Sequence, residues 1–208
     1  VAIATSGPGA TNLITGICCS YYDSVPLLIL TGQVSTTRMA GNTGVRQIGF
    51  QETPISSITK EITKYSTTIQ KAEDIRFELE KSYFLAHEGR PGPVLIDIPD
   101  NLQRSIIDID KLKKFDEKKI SKKINFPISK DFIPQIVNEI KKAKRPIVVA
   151  GWGIHLSKTE EAFIKFIEYY QLPVALTWGA SDLIESDNRL YVGTFGTHGM
   201  RHANFAVQ

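Results

Sequence analysis

A glycine-rich turn, Ser6-Gly7-Pro8-Gly9-Ala10, follows the apolar opening Val1 and Ile3 and runs into a helical pattern at Leu13, Ile14 and Ile17. Such a turn between a strand and a helix often meets a phosphate. Here it lacks both the Gly-Lys-Ser/Thr ending of a P-loop and the third glycine of a dinucleotide fingerprint. Three further glycine-bearing loops, "TGQ", "AGWG" and "TWGAS", fall at the ends of apolar runs. Each alone is an ordinary tight turn. Four at the carboxyl ends of successive strands point to a cofactor cleft, because ligands of open α/β sheets sit beyond those ends. Other chemistry is missing from local spacing: no nucleophile elbow, no His-Glu-x-x-His and no paired cysteines. Of the histidines His87, His155, His198 and His202, only the last two share a helical spacing of four, with no third ligand nearby, so no residue is assigned to a metal.

The elements that must position these loops follow from the apolar pattern. Short runs rich in β-branched residues recur at 1–5 ("VAIAT"), 26–32 ("PLLILTG"), 93–99 ("PVLIDIP"), 146–151 ("PIVVAG") and 173–178 ("PVALTW"). Without alternation they read as strands covered on both faces, four of them opening on proline. Between them lie helical patterns. In 72–88, Ile75, Leu79 and Tyr83 make a stripe; in 157–171, a capping box of Ser157 and Glu160 precedes a face of Ala162, Phe163, Phe166, Ile167 and Tyr170. The expected fold is α/β, as two incomplete doubly wound domains with mainly parallel sheets. The expected boundaries are 1–104 for the first domain, 105–129 for a charged connector and 130–208 for the second.

Composition narrows the partners. With 208 residues, 42% hydrophobic, 23% charged and a net charge of +3, the chain is ordinary globular material. The positive excess sits in Lys111 to Lys123, where interspersed acids make a solvated connector rather than a nucleic-acid surface. Cys18 and Cys19 read as small core residues of a reducing, cytoplasmic protein. No apolar run approaches a membrane span, so no membrane partner is expected. The chain opens inside a strand and stops inside a helical pattern, which reads as a piece of a longer protein.

"SGPGATNLITGI", "DSVPLLILTGQV", "RMAG", "GFQETPISSITKEITKYS" and "AHEGRPGPVLIDIPDNLQ", then "RPIVVAGWGI", "LPVALTWGASDLI" and "VGTFGTHGMRHANFAV", follow in one order. This series resembles thiamine-diphosphate-dependent enzymes of the acetolactate synthase and pyruvate oxidase group, the acetolactate synthase catalytic (large) subunit above all. The resemblance covers nearly the whole chain except the lysine-rich connector. It implies the later part of a pyrimidine-binding domain (1–104) and the earlier part of a central domain that in this group often holds FAD (130–208). The essential glutamate would lie upstream of Val1. The magnesium and diphosphate site would lie in a third domain, so the isolated chain is expected to be inactive.

By the same resemblance, Gly7, Pro8, Gly9 and Ala10 line the thiamine and substrate cavity across a dimer interface, the glycines serving close backbone approach. Gln51 and Phe50 face the reacting centre. Gln51 is an amide donor there, with a helix-start residue as the plain alternative; Phe50 is a water-excluding wall. Glu52 reads as a first-turn helix acid without catalysis. FAD would involve Ser24, Arg90, Gly151, Trp152, Gly153, Thr177, Trp178, Gly196, Thr197, His198 and Gly199. Arg38, Met39 and Lys64 would border the substrate channel. The implied reaction converts two pyruvates, as 2-keto acid substrates, to 2-acetolactate and carbon dioxide in branched-chain amino acid biosynthesis. A homo-oligomer and a regulatory subunit are the implied partners. Two departures stand out: "STTRMAGNTGVRQIG" is longer than the corresponding acetolactate synthase loop, with Ser35 where proline is typical, and "TWGAS" differs from the usual segment. They leave open a carboligase with another acceptor, as in sugar biosynthesis, or a pyruvate oxidase-like enzyme. Outside this family, a nucleotide-binding module and a non-catalytic interaction protein are the competing classes.

Overall fold

The structure is a computed structural model and describes residues 1–119 and 132–208. Two compact units divide the chain, Val1–Asn125 and Phe126–Gln208. Residues 120–131, which take in the end of the charged connector and the first two residues of the expected second domain, lie outside the described residues.

In the first unit, β1 (Ala2–Ala4), β2 (Leu27–Gln33), β3 (Tyr65–Thr68) and β4 (Pro93–Pro99) form one parallel sheet in the order β1-β2-β4-β3. Between β1 and β2 run α1 (Pro8–Asn12) and α2 (Ile14–Tyr22), between β2 and β3 the short α3 (Ile55–Ile58), and between β3 and β4 the longer α4 (Ile75–His87). Parallel neighbours require such crossovers, and the helices bring the apolar cover that parallel strands need. Val94, Leu95 and Ile96 at the sheet centre are fully buried, and Ile17, Ile29 and Ile55 pack in one core with Leu95. Cys19 is exposed and Cys18 half-buried, so the expectation of two core cysteines does not hold; α2 turns Ile17 and Ser20 inward instead.

The stripe expected on α4 also rotates. Tyr83 is 64% exposed, whereas Ser82 and Ala86 are buried. A strict spacing of four drifts around a helix of 3.6 residues per turn, so the third member leaves the buried line and residue 82 takes its place. Ser82 Oγ is buried without a hydrogen-bond partner among the described residues. Ser82→Ala is therefore expected to stabilise the unit by about 1 kcal/mol in urea denaturation, since it removes an unsatisfied hydroxyl and improves helix propensity. After α5 (Asp100–Gln103), the described part of the connector does not run free of the fold. Phe115 packs on Phe77 and Phe84 of α4, with ring centroids 5.7 and 5.6 Å away, and its backbone N–H donates to Glu80 at 2.8 Å.

The second unit holds β5 (Val148–Ala150), β6 (Val174–Leu176) and β7 (Tyr191–Thr194) in that order, again all parallel. Its helices are α6 (Phe132–Lys142), α7 (Gly153–Ser157), α8 (Glu160–Tyr170) and α9 (Arg201–Val207). Val174, Ala175 and Leu176 are fully buried, and Val174 and Leu176 pack with Phe163, Ile167 and Leu172. The expected capping box is absent. Ser157 ends α7, where its hydroxyl donates back to Gly153 and Ile154 carbonyls at 2.8 and 3.0 Å. Lys158, in the left-handed conformation at φ 55°, breaks the helix before α8 begins. No described helix is long and apolar enough to cross a membrane.

Candidate active site

The carboxyl ends of β1, β2 and β4 open on a cleft of about 930 Å³ whose walls include Thr5, Ser6, Gly32, Arg38, Phe50 and Asp100. Two loops meet at its border. Gly7 has φ 63° and ψ −123°, and its carbonyl accepts the Thr11 N–H at 3.0 Å, so the chain turns sharply before Pro8 opens α1. A Cβ at Gly7 would lie 2.8 Å from Gln51 Cβ and 3.0 Å from the Gln51 carbonyl oxygen. Gly9 is also close-packed: a Cβ there would stand 2.7 Å from Thr5 Cγ2. Gly7 thus lets the two loops touch, while Gly9 lets its own turn pack back on Thr5.

Gln51 is not a helix-start residue. It sits at φ 60° in the turn before Pro54, and α3 starts only at Ile55. Its side-chain amide makes no hydrogen bond to a described residue. Phe50 beside it is 86% exposed along the cleft wall. Glu52 is likewise no first-turn helix acid. Its two oxygens accept backbone N–H groups of Ala40 at 2.6 Å and Ile48 at 2.9 Å. Burial pushes its carboxyl up, but the backbone groups of Ile48, Ala40 and Gly49 together outweigh this and hold it below the usual carboxylate range.

Behind the cleft lies a polar row that sequence reading missed. Asp97 of β4 pairs in register with Thr31 of β2 on one side and Thr68 of β3 on the other. Its carboxylate, fully buried, accepts from the Thr31 hydroxyl at 2.7 Å, from Gln33 Nε2 at 2.8 Å and from the Thr68 hydroxyl at 3.4 Å. The same Gln33 Nε2 donates to the Thr53 carbonyl at 2.7 Å, which fastens the Gln51 turn to the sheet. Burial raises the Asp97 carboxyl above its ordinary value, and the three hydrogen bonds only partly offset this. The signal was present in "PVLIDIP", where one charge interrupts an otherwise apolar strand.

Of the remaining residues singled out above, Arg38 lines the cleft, and Met39 follows it, half-buried. Pro8 and Ala10 begin α1, with Ala10 buried. Lys64 is not brought to the cleft. It precedes β3, its backbone N–H bonds the Pro93 carbonyl at 2.8 Å, and its ammonium donates to the Glu88 carbonyl. That is the amino end of the sheet, about 20 Å from the carboxyl end along a seven-residue strand. Burial lowers the Lys64 ammonium against the opposing pull of Glu88. Ser24 and Arg90 occupy the same end, joined by an Nε–H to hydroxyl bond of 2.7 Å, and Arg90 also donates to the Tyr22 carbonyl at 3.2 Å.

In the second unit the strand ends also bear the glycine turns. A Cβ at Gly151 would lie 3.3 Å from the Thr177 hydroxyl, and one at Gly179 would lie 3.4 Å from Trp152 Cβ, so the turns after β5 and β6 touch, with Gly153 opening α7. After β7, Gly196 at φ 126° exchanges two hydrogen bonds with the Asn204 side chain, and Gly199 folds back so that a Cβ would meet the Phe195 backbone at 2.5 Å. Trp178 and His198 stack at 5.5 Å and 29°, while Thr197 between these turns is exposed. His155, which sequence spacing did not single out, faces Glu160 at 3.0 Å and Asp182 at 3.1 Å through its two ring nitrogens. No cluster of three metal-ligating side chains occurs among the described residues.

Parallel strands ending in a glycine turn beside an open cleft are the arrangement in which α/β proteins bind cofactors. Residues 1–58 match the thiamine pyrophosphate enzyme, N-terminal TPP binding domain, and residues 133–208 match the thiamine pyrophosphate enzyme, central domain. The chain belongs to the thiamine pyrophosphate enzymes. It is similar to the acetolactate synthase large subunit of Lactococcus lactis subsp. lactis (strain IL1403), 35% identical over 214 residues that cover all of this chain and 35% of that protein. It is also similar to the chloroplastic acetolactate synthase of Arabidopsis thaliana, 37% identical over 208 residues, covering all of this chain and 30% of that protein. A probable acetolactate synthase large subunit of Methanocaldococcus jannaschii is 37% identical over 217 residues, covering all of this chain and 34% of that protein. The chain thus spans about a third of the length of the curated relatives it matches.

Proposed function

We propose that this chain forms one wall of the active site of a thiamine-diphosphate-dependent carboligase of the acetolactate synthase kind, joining two pyruvates into 2-acetolactate with loss of one carbon dioxide. The observation that carries this reading is the contact of Gly7 with Gln51 beside an open cleft, where no side chain at position 7 has room. The cleft beside this contact, about 930 Å³ and walled by Ser6, Gly32 and Phe50, has room for a flat heterocycle, so the residues present fit the organic part of the cofactor. When bound, the cofactor supplies the electron sink for decarboxylation and for carbon–carbon bond formation.

The chain's own residues then have defined tasks. Gly7, Pro8, Gly9 and Ala10 give close backbone approach. The Gln51 amide, without a competing partner among the described residues, donates to oxygen on which negative charge develops. Phe50 covers the reacting centre against water, and the Arg38 guanidinium, with Met39, draws a 2-keto acid carboxylate towards the cleft. Lys64, at the other end of the sheet, would border a channel only where a second copy supplies the cleft. Such a homo-oligomer, with its active site at the dimer interface, is part of the proposal, as is a regulatory subunit. Mg2+ and the diphosphate are held by residues outside this chain. FAD is proposed for the second unit's turns, Gly151 to Gly153, Thr177 with Trp178, and Gly196 to Gly199. Its role there would be structural rather than redox.

The test is to give the full-length enzyme pyruvate alone and assay acetoin after acid treatment. Acetoin is expected in the wild type, and Gln51→Ala should lower kcat about a hundredfold, as loss of one transition-state donor does. No acetoin from wild type would remove the acetolactate reading. A second reading, a carboligase with a different acceptor, is favoured by the exposed excursion at residues 41–48 beside the cleft.

A further inference from the structure

Between the cleft residues Arg38 and Phe50 the chain makes an excursion with neither helix nor strand after Arg38, and residues 41–48 are all exposed. Polar chain of this kind has no core to hold it, so its ends must be fastened for it to keep one shape. Both ends converge on a single side chain. Glu52 Oε1 accepts from Ala40 at 2.6 Å and Oε2 from Ile48 at 2.9 Å, so one carboxylate spans the mouth of the loop. The Glu52 N–H also donates to the Gly49 carbonyl at 3.1 Å. Gly49 in turn packs so tightly that a Cβ would stand 2.9 Å from the Arg38 carbonyl oxygen and 2.9 Å from Val34 Cβ. The clasp therefore lies two residues inside each of the two wall residues, Arg38 and Phe50.

We infer that Glu52 is a specificity-determining positioning residue: by clasping residues 40 and 48 it sets the separation of Arg38 and Phe50, and so the size of the second 2-keto acid admitted to the cleft. The inference rests on the carboligase reading above and deepens it. An ionised carboxylate is suited to this task because both oxygens accept, and hydrogen bonds to a charged acceptor are about twice as strong as neutral ones. Glutamine keeps the length but has one accepting oxygen, so it can hold only one end of the loop. Alanine holds neither.

The experiment uses the full-length enzyme as wild type, Glu52→Gln and Glu52→Ala. In one arm, trypsin cleavage after the exposed Arg46 is timed by mass spectrometry. In the other, pyruvate competes with a longer-chain 2-keto acid as acceptor, and the ratio of the two products is measured. That ratio does not depend on how much enzyme is folded, so a merely structural role would leave it unchanged. Cleavage after Arg46 should quicken about tenfold in Glu52→Ala, and the product ratio should shift about tenfold towards the longer acceptor, with Glu52→Gln intermediate in both. Faster cleavage with an unchanged ratio would overturn the specificity role. Unchanged cleavage would overturn the clasp itself. A wild type that forms no carboligase product overturns the carboligase reading and the specificity role with it, while the trypsin arm still reports on the clasp.

Discussion

Alanine in place of Gly7 is expected to cost the first unit about 4 kcal/mol and to reduce turnover of the full-length enzyme more than a hundredfold. Two effects add at this position. The backbone stands at φ 63° and ψ −123°, a region that residues with a Cβ rarely enter, with a strain of about 1–3 kcal/mol. The new methyl would also stand 2.8 Å from Gln51 Cβ and 3.0 Å from the Gln51 carbonyl oxygen, an overpacking worth about 1–3 kcal/mol. Relief requires the Gln51 turn to move. Because catalytic positioning tolerates little displacement, activity should fall along with the urea midpoint. Gly9→Ala is the comparator. Its Cβ would meet only the methyl of Thr5, at 2.7 Å, and a side chain can shift where backbone cannot, so about 1 kcal/mol is expected. Equal effects at the two positions would show that the Gly7–Gln51 contact carries no special constraint.

Asp97→Ala should destabilise the same unit by about 4 kcal/mol, since buried donors left without an acceptor lose about 1–3 kcal/mol each. The Thr31 hydroxyl and Gln33 Nε2 are the close donors, at 2.7 and 2.8 Å, with the Thr68 hydroxyl at 3.4 Å. Gln33 would also lose what orients it towards Thr53, so the Gln51 turn loosens, and turnover should fall further than the folded fraction. Asp97→Asn keeps the shape and provides a check through pH. Burial raises the folded-state value of this carboxyl above that of the unfolded chain. The folded state therefore holds the proton where the unfolded state has released it, and stability declines as pH rises through the window between the two values. Equilibrium unfolding of wild type should show that downward slope just above the ordinary aspartate range, and Asp97→Asn should flatten it. A slope of opposite sign would mean that the hydrogen bonds outweigh the burial.

Local pattern carried much of the architecture. The run "PVLIDIP" is strand from Pro93 to Pro99, and the apolar starts after Pro26, Pro146 and Pro173 all lead into parallel strands. The runs of β4 and β6 are readable because burial on both faces demands apolar, β-branched residues one after another, whereas β2 alternates and Val149 of β5 is exposed. Two strands were not readable. "YSTT" carries no apolar run because β3 is an edge strand paired only with β4, and "YVGT" is interrupted by Gly193 at φ 123°. Helix α8 buries Phe163 and Ile167 as its pattern predicts, yet its start is misread, since a left-handed residue at Lys158 has no periodic signature.

By itself, then, the sequence determined the α/β class, the position of most strands and the glycine turns at their carboxyl ends, all properties of neighbouring residues at helical or strand spacing. Only the tertiary structure decided which of those turns meet. The order β1-β2-β4-β3 sets the Ser6–Gly7 turn and the chain leaving β2 side by side, and it leaves Lys64, Ser24 and Arg90 at the opposite end of the sheet. It also aligns Thr31, Asp97 and Thr68 in one buried row and lets Glu52 close a loop instead of capping a helix. Such contacts depend on crossover direction and register, which no local window of residues encodes.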